Sequence, residues 1–323
     1  MRFSFTEEQR QMRDALRSSL TESCPSGRVR AAWKTPDAAL RTELAEQGIL
    51  AINLPEDAGG LGLGAQDWVL LAEELGLVAA PVNLIETLAT NPTLAAIGAL
   101  DLASQVGTGA EYVALEEPGG YALDADKAAG ILAVRDGRVG WLRDATLVAQ
   151  TSVDGTRRPF KVDGRFEAVD ADATELLDRA ALAAAAELVG LSRRMLDLAV
   201  EYSKSRRQFG KPIGSFQAVQ HHLVDALQRI AFAAPAVYRA AWSVDTNHPN
   251  RSVHVSMAKV YASEAALFTG RKALQVHGAI GYTFEYDLHM WMKRAWTLSS
   301  AWGDVRHHTD RVGQFVMSGG QDA

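Results

Sequence analysis

One cysteine, Cys24, serves 323 residues. A single thiol excludes an intrachain disulfide and any metal cluster built on cysteines. No long run of Lys and Arg occurs, and the formal net charge is -6. That balance excludes a basic nucleic-acid face but allows local anion sites. No apolar run reaches the roughly 20 residues a membrane helix needs, and no basic-then-apolar signal opens the chain. Neither nucleic acid nor a membrane is therefore an expected partner, and the cytoplasm is the expected compartment. Internal repeats and low-complexity tracts are also missing. What is present is ordinary for a globular protein: 47% apolar and 22% charged residues, enough chain for two or three packed domains.

Residues 5–20 read as an amphipathic helix, with Thr6 and Gln9 as a capping box and Met12, Leu16 and Leu20 at helical spacing. A second helix runs from Asp37 to Gln47 and stops at Gly48. After the apolar run Ile49 to Leu54 comes a glycine loop, Gly59 to Gly64. Gly60, Gly62 and Ala65 match a dinucleotide fingerprint in spacing. Pro55 to Gly59, however, intervene where that fingerprint requires a tight strand-to-helix turn, so the glycines are read as a loop folded closely over helices. Helices follow at Gln66 to Leu75, with Gly76 as stop, and at about Asn83 to Ile97. From about Glu111 the texture changes to short runs, Tyr112 to Glu116, Ile131 to Val134, Val139 to Leu142 and Thr146 to Ala149. Asp136-Gly137 marks a hairpin, and the whole predicts a small antiparallel β-domain ending near Asp172.

Helical patterns return at Ala173. Leu188, Leu191, Met195, Leu198 and Tyr202 make one stripe. A helix from Ser215 carries Val219, Leu223, Leu227 and Ile230, with a kink expected at Pro235. Another runs from about Arg251 to Val276, and two more cover Asp287 to Ala301 and Asp304 to Met317. Such lengths with short connections predict a four-helix bundle. The expected organisation is an N-terminal helical domain (1–110), a truncated β-barrel or sandwich (111–172) and a C-terminal bundle (173–323). The tail from Ser318 to Ala323 is expected to fray.

Between the first two bundle helices lies Tyr202-Ser-Lys-Ser-Arg206-Arg-Gln208-Phe209-Gly210-Lys-Pro212-Ile213-Gly-Ser215-Phe216-Gln217, in which Ser215 is a candidate N-cap. Two readings stand side by side: a cationic last turn favoured by the helix dipole, or a clamp for a flat anionic ligand. In the second, Arg206 grips phosphate, Gln208 adds hydrogen bonds and Phe209 packs on a heterocycle.

The chain as a whole resembles the acyl-CoA dehydrogenase family. The likeness rests on Leu54 to Gly64, on Ala114-Leu-Glu-Glu-Pro118, on Arg206 to Ile213 with Phe216-Gln217, and on Gln275-Val-His-Gly-Ala-Ile-Gly-Tyr282. It implies a tetramer in which one subunit's bundle completes the FAD site of its neighbour. Arg206, Gln208, Phe209 and Gln217 match positions holding the adenosine and pyrophosphate part of that FAD, and Gln275, Val276, His277, Gly278 and Ala279 match the loop crossing it. In that family a carboxylate removes the α proton of an acyl-CoA while flavin N5 takes the β hydride.

Three departures shape what the resemblance implies. Alignment through Met292-Lys-Arg-Ala295 places Trp302-Gly303 at the usual glutamate, and indole cannot accept that proton. The alternative base position and the adjoining acyl-CoA-contacting Arg fall on Ala180 and Ala181, with Asp178 and Arg179 turned to another helix face. After Glu117-Pro118 the β-domain is shortened, and Glu116 stands where a hydroxyl would face the flavin, a charge unfavourable to an anionic reduced ring. No catalytic residue is therefore assigned. Asp304, just past Trp302, is the rival base, although an N-cap role suits it better. His221-His222 and His307-His308 are adjacent pairs whose rings diverge on a helix, so no metal site is assigned. Trp291, Trp296 and Trp302 read as core or interface anchors, and Glu285 and Asp287 as turn and cap residues.

The resulting expectation is a non-catalytic subunit that shares FAD with a full-length family member in a heterotetramer. It resembles the short subunits of actinobacterial steroid-CoA enzymes. Acyl-CoA would be bound mainly by the partner, and an electron-transfer protein would accept the electrons. A flavin-free structural homologue and an active homomer using Asp304 are the alternatives.

Overall fold

A computed structural model describes residues 4–320. The N-terminal part is helical throughout: α1 (Glu7–Ser23), α2 (Ser26–Ala32), α3 (Ala38–Glu46), α4 (Ala65–Val78), α5 (Leu84–Ala96) and α6 (Leu100–Gly107). The Thr6–Gln9 capping box forms as expected, and Asp37 caps α3 through the amide of Leu40. The glycine loop is not a phosphate cradle. A β carbon on Gly60 would fall 2.1 Å from the Leu54 carbonyl oxygen, and one on Gly64 2.6 Å from Asp245. Close backbone approach requires those glycines. Gly76 does not end its helix either. A β carbon there would sit 2.2 Å from the Glu187 oxygen, and one on Gly190 1.9 Å from the Glu73 oxygen. The two glycines let α4 cross the first bundle helix at backbone contact, so Gly76 is a packing residue within α4.

The middle part is a closed five-stranded barrel of β1 (Val113–Glu117), β2 (Tyr121–Leu123), β3 (Gly130–Arg135), β4 (Arg138–Ala149) and β5 (Pro159–Ala168), ordered β1-β2-β5-β4-β3. Closure is made by β1 lying parallel to β3, which corrects the all-antiparallel expectation. Asp136 and Gly137 form the tight β3–β4 turn, both at positive φ, with Arg135 paired to Arg138. The two runs expected on either side of Asp144 are one bent strand, since the β4–β5 register shifts between Arg143 and Thr146. β2 and β5 escaped the sequence reading because β2 has three residues and β5 alternates charged with apolar ones on a half-exposed face.

The C-terminal bundle consists of α7 (Ala173–Ser205), α8 (Gln217–Asp245), α9 (Arg251–His277) and α10 (Leu288–Ser300), followed by α11 (Val305–Met317). A two-stranded hairpin, β6 (Arg207–Gln208) and β7 (Lys211–Pro212), joins α7 to α8. Ser215 lies in a short 3-10 turn, where its hydroxyl donates to the Pro212 carbonyl, so it does not cap α8, which begins after Phe216. α8 is continuous through Pro235. The core is dominated by alanine where α7 meets its neighbours, with Ala180 to Ala186 almost fully buried. Small side chains allow such close helix approach. Of the expected frayed tail, residues 321–323 lie outside the described residues.

Candidate functional site

The two family-like motifs of the bundle occupy neighbouring helix ends. α7 ends at Arg206, whose amide bonds the Tyr202 carbonyl, and the chain then turns at Phe209-Gly210, both at positive φ. Left-handed backbone is costly for an aromatic residue and persists only when surrounding contacts hold it. Here Gln208 pairs with Lys211, the Arg207 guanidinium donates to the Gly210 carbonyl at 3.0 Å, and the Ile213 amide donates to the Arg206 carbonyl at 2.8 Å. The Phe209 ring is consequently pushed out of the molecule and is 91% exposed. It meets Phe216 edge-on at 6.1 Å, and the Lys211 ammonium lies 4.4 Å over the Phe216 ring.

α9 ends at His277, and Gly278 follows at φ 62, ψ -139, a backbone state open to glycine almost alone. His277 stacks on Tyr202 with ring centroids 4.6 Å apart and lies equally close to Tyr286. This stack fastens the end of α9 to the end of α7. The His277 Nδ1 lies 2.7 Å from the Ala273 carbonyl and must be the donor, because a carbonyl can only accept. Burial pushes the imidazole's pKa down, which keeps it neutral and leaves the buried Nε2 as an acceptor with no partner among the described residues. Arg206, Gln208, Gln217, Gln275, Gly278 and Ala279 are all exposed, whereas Val276 and His277 are buried. Among the described residues Arg206 has no carboxylate partner. The structure thus brings the Arg206–Phe209 turn and the Gln275–Ala279 turn to one end of the bundle. It leaves their polar groups facing outward.

Two of the positions read in the sequence as departures from the family pattern, Trp302 and Ala181, lie together elsewhere. Trp302, Ala181 and Pro118 line one cavity of about 550 Å3, between the barrel, the start of α7 and α11. Trp302 is 4% exposed and itself at positive φ (57°). Lys259 holds the turn that bears it, donating to the Gly303 carbonyl at 2.9 Å and the Ser299 carbonyl at 3.3 Å. On the other side the His308 Nε2 lies 3.0 Å from the Trp302 carbonyl, and the His308 Nδ1 3.0 Å from the Ser256 hydroxyl. Burial pushes the Lys259 ammonium down to about 7 and the His308 imidazole down to about 4. The sequence reading did not single out Lys259, and took His308 only as one of an adjacent pair, without its burial. The available signal was that Val255, Lys259, Ala262 and Ala266 share a helical stripe, which puts a lysine on a buried face.

Asp304 caps α11, accepting from the His307 amide at 2.8 Å. Asp178 is buried, accepting from Ser252 at 2.6 Å and facing Arg251 and Arg311, so it ties α7 to α9 and α11. Glu116 is paired with Arg135, with a shortest contact of 3.2 Å, which offsets the lone negative charge expected there. Asp287 pairs with Arg30 in place of capping α10. Trp291 is a core anchor whose indole donates to the Leu77 carbonyl at 2.9 Å, whereas Trp296 is exposed. Among the described residues no His, Cys, Asp and Glu group is arranged for a metal ion, and no helix is long and apolar enough to cross a membrane.

A helical cap, a small barrel and a long-helix bundle form an architecture shared with solved structures. One, titled as a Tcur3481-Tcur3483 steroid ACAD variant, superposes with a TM-score of 0.89 at 25% identity, covering 97% of this chain and 98% of that one. The ChsE4-ChsE5 complex from Mycobacterium tuberculosis shares the fold, with a TM-score of 0.88 at 21% identity and full coverage of both chains. Residues 6–103 match the N-terminal domain model of acyl-CoA dehydrogenases, and residues 171–317 the C-terminal domain model. A curated relative, acyl-CoA dehydrogenase IpdE2 of Mycolicibacterium smegmatis, is 31% identical over 312 residues, covering 95% of this chain and 98% of that protein. This chain belongs to the acyl-CoA dehydrogenase family, whose members generally bind FAD.

Proposed function

We propose that this chain is the non-catalytic subunit of a heteromeric acyl-CoA dehydrogenase, in which it completes the FAD site of a full-length catalytic partner. The observation that carries the reading is the contrast between the two ends of the fold. An indole fills the base position at Trp302, with Ala180 and Ala181 at the alternative slots. The Arg206–Phe209 and Gln275–Ala279 turns present their polar groups to the exterior.

The residues fit the adenosine and pyrophosphate half of FAD. Among the described residues the Arg206 guanidinium has no carboxylate partner and is available to phosphate oxygens, and the Gln208, Gln217 and Gln275 amides have no partner and are available for ribose and adenine hydrogen bonds. Phe209 offers a flat face, and the backbone from Val276 to Ala279 allows close approach of the ligand at Gly278. His277 sets the spacing between the two turns through its stack with Tyr202. When bound, FAD supplies the hydride acceptor for α,β-dehydrogenation of an acyl-CoA thioester. Proton removal falls to the partner, because Asp304 is spent on the α11 cap. The relatives titled as a steroid enzyme and as a two-component complex make a bulky, steroid-type acyl group the favoured substrate class. The natural electron acceptor would be an electron-transfer protein. The three units of the proposed organisation are 1–110, 111–172 and 173–323, the last carrying the shared site.

Co-expression with a full-length family member from the same organism tests the proposal. The co-purified complex is expected to show flavin absorbance and to reduce a dye with acyl-CoA, and the lone chain to do neither. Arg206→Ala should lower flavin occupancy of the complex about tenfold or more, as fits the loss of a charge-assisted contact. A flavin-free complex would leave a structural homologue as the better reading, and activity of the lone chain would restore the homomer.

A further inference from the structure

The segment joining α9 to α10 follows directly from the Gln275–Ala279 turn, and much of it stands clear of the core. Tyr282 is 76% exposed and Phe284 64%. The Thr283 amide and hydroxyl both return to the Ile280 carbonyl, inside the segment itself. Two ties hold it to the rest of the molecule. One is Tyr286, whose ring lies 4.6 Å from His277, the residue before Gly278. The other is Arg30 of α2, 254 residues before Phe284 in the chain.

Arg30 grips the segment on both sides of Tyr286. Its Nη1 donates to the Phe284 carbonyl and its Nη2 to the Asp287 carboxylate. A planar guanidinium fork holds two acceptors at a fixed spacing, so the two positions are fixed together. Asp287 stands at the N-cap of α10 yet makes no side-chain cap there, because its carboxylate is turned to Arg30. A second contact joins the same parts. Trp33, one residue past α2, meets the His289 ring edge-on at 5.2 Å, and the Lys293 ammonium lies 4.8 Å over Trp33 and 4.5 Å over Phe284. With Phe284 and Asp287 fixed, Tyr286 between them is held against His277. His277 in turn precedes Gly278, whose φ 62, ψ -139 backbone sets the course of the exposed turn. Contact therefore runs unbroken from α2 to the turn.

We propose that Arg30 is a positioning residue for flavin binding. By holding Phe284 and Asp287 it keeps Tyr286 on His277, and so keeps the Gln275–Ala279 backbone in the arrangement that receives FAD. The inference rests on the flavin-sharing function proposed above and adds a residue of the N-terminal helices to it. Arg30 acts through Tyr286, not on FAD directly.

The test is FAD titration, followed by flavin fluorescence, of the flavin-stripped complex with a full-length family member from the same organism. Arg30→Met should weaken FAD binding about three- to tenfold, the size of a coupling passed through packed side chains. Tyr286→Leu should weaken it to a similar degree, and Arg30→Met should add little to Tyr286→Leu, because both act along one line. Arg30→Lys should restore only part of the loss, since an ammonium lacks the fixed fork. The Arg30 and Asp287 side chains are 40% and 32% exposed, so the Tm of the lone Arg30→Met chain should fall by about 2 °C or less. Arg206→Ala is titrated alongside. If it weakens binding and Arg30→Met does not, the positioning role is overturned while the flavin clamp stands. If neither does, the proposed function falls and this inference with it. Fully additive losses in the double variant, or a large fall in Tm accompanying the flavin loss, would also overturn the proposal.

Discussion

Lys259 decides the local chemistry around Trp302. Its side chain is fully buried, among the described residues it has no carboxylate partner, and it is held by two carbonyls at the α10–α11 turn. Burial is the largest influence on its pKa, with Glu117 and Asp304 opposing it weakly. The folded chain releases this proton near pH 7, and the unfolded chain holds it up to the ordinary value of 10.5. Between those limits the unfolded state binds more protons, so stability contributed by this group rises with pH and is lowest below about 7. Urea unfolding of the wild type should show that rise between neutral and alkaline pH. Lys259→Met should flatten it, and an unchanged slope would mean that the lysine is charged throughout.

At the scale of the element, the β6–β7 hairpin holds an exposed aromatic ring on a strained backbone. Phe209 sits at φ 52 with its ring in solvent, where a glycine would fit the backbone without strain. Phe209→Gly should stabilise the chain by about 1 kcal/mol in denaturant unfolding by relieving that strain. The same change should reduce flavin retention by the complex. If stability and flavin retention fell together, the ring would be a packing residue. The break between the two helices was legible in the sequence as a helix end, an aromatic, a glycine and a proline, but its pairing as a hairpin was not. The positive φ of Phe209 was not, because it is imposed by the pairing of Gln208 with Lys211 across the turn. Gly76 shows the same limit. Read along the chain it marks a helix end, but the crossing with α7 makes it an interior packing position.

Across the whole molecule, the β4–β5 loop is the fastening between parts. Arg294 of α10 pairs with Asp154 of that loop and, at 2.6 Å, with Glu187 of α7, and it donates to the Ala80 carbonyl at 3.1 Å. Close by, Arg157 of the loop reaches Glu86 of α5 at 3.3 Å and Glu117 of β1 at 3.2 Å. Removing one partner of a buried network leaves uncompensated charge, so Arg294→Met should cost about 3–5 kcal/mol in urea unfolding. That cost should shrink in acid as Asp154, whose pKa the Arg294 pair holds down against burial, takes up its proton. A loss under about 1 kcal/mol would show that the network does not bind the parts together.

Residue order alone determined the helix–barrel–bundle succession, because apolar periodicity, caps and the Asp136-Gly137 turn are local signals that packing did not override. It also determined that an indole stands at Trp302, since side-chain chemistry is fixed by the residue itself. Which groups meet was decided only by the tertiary structure. The β1–β3 closure, the Tyr202–His277 stack, the Lys259 support under Trp302 and the Arg30 grip on Phe284 and Asp287 all join residues far apart in the chain. Their energies depend on burial and on neighbours, quantities that sequence spacing does not carry.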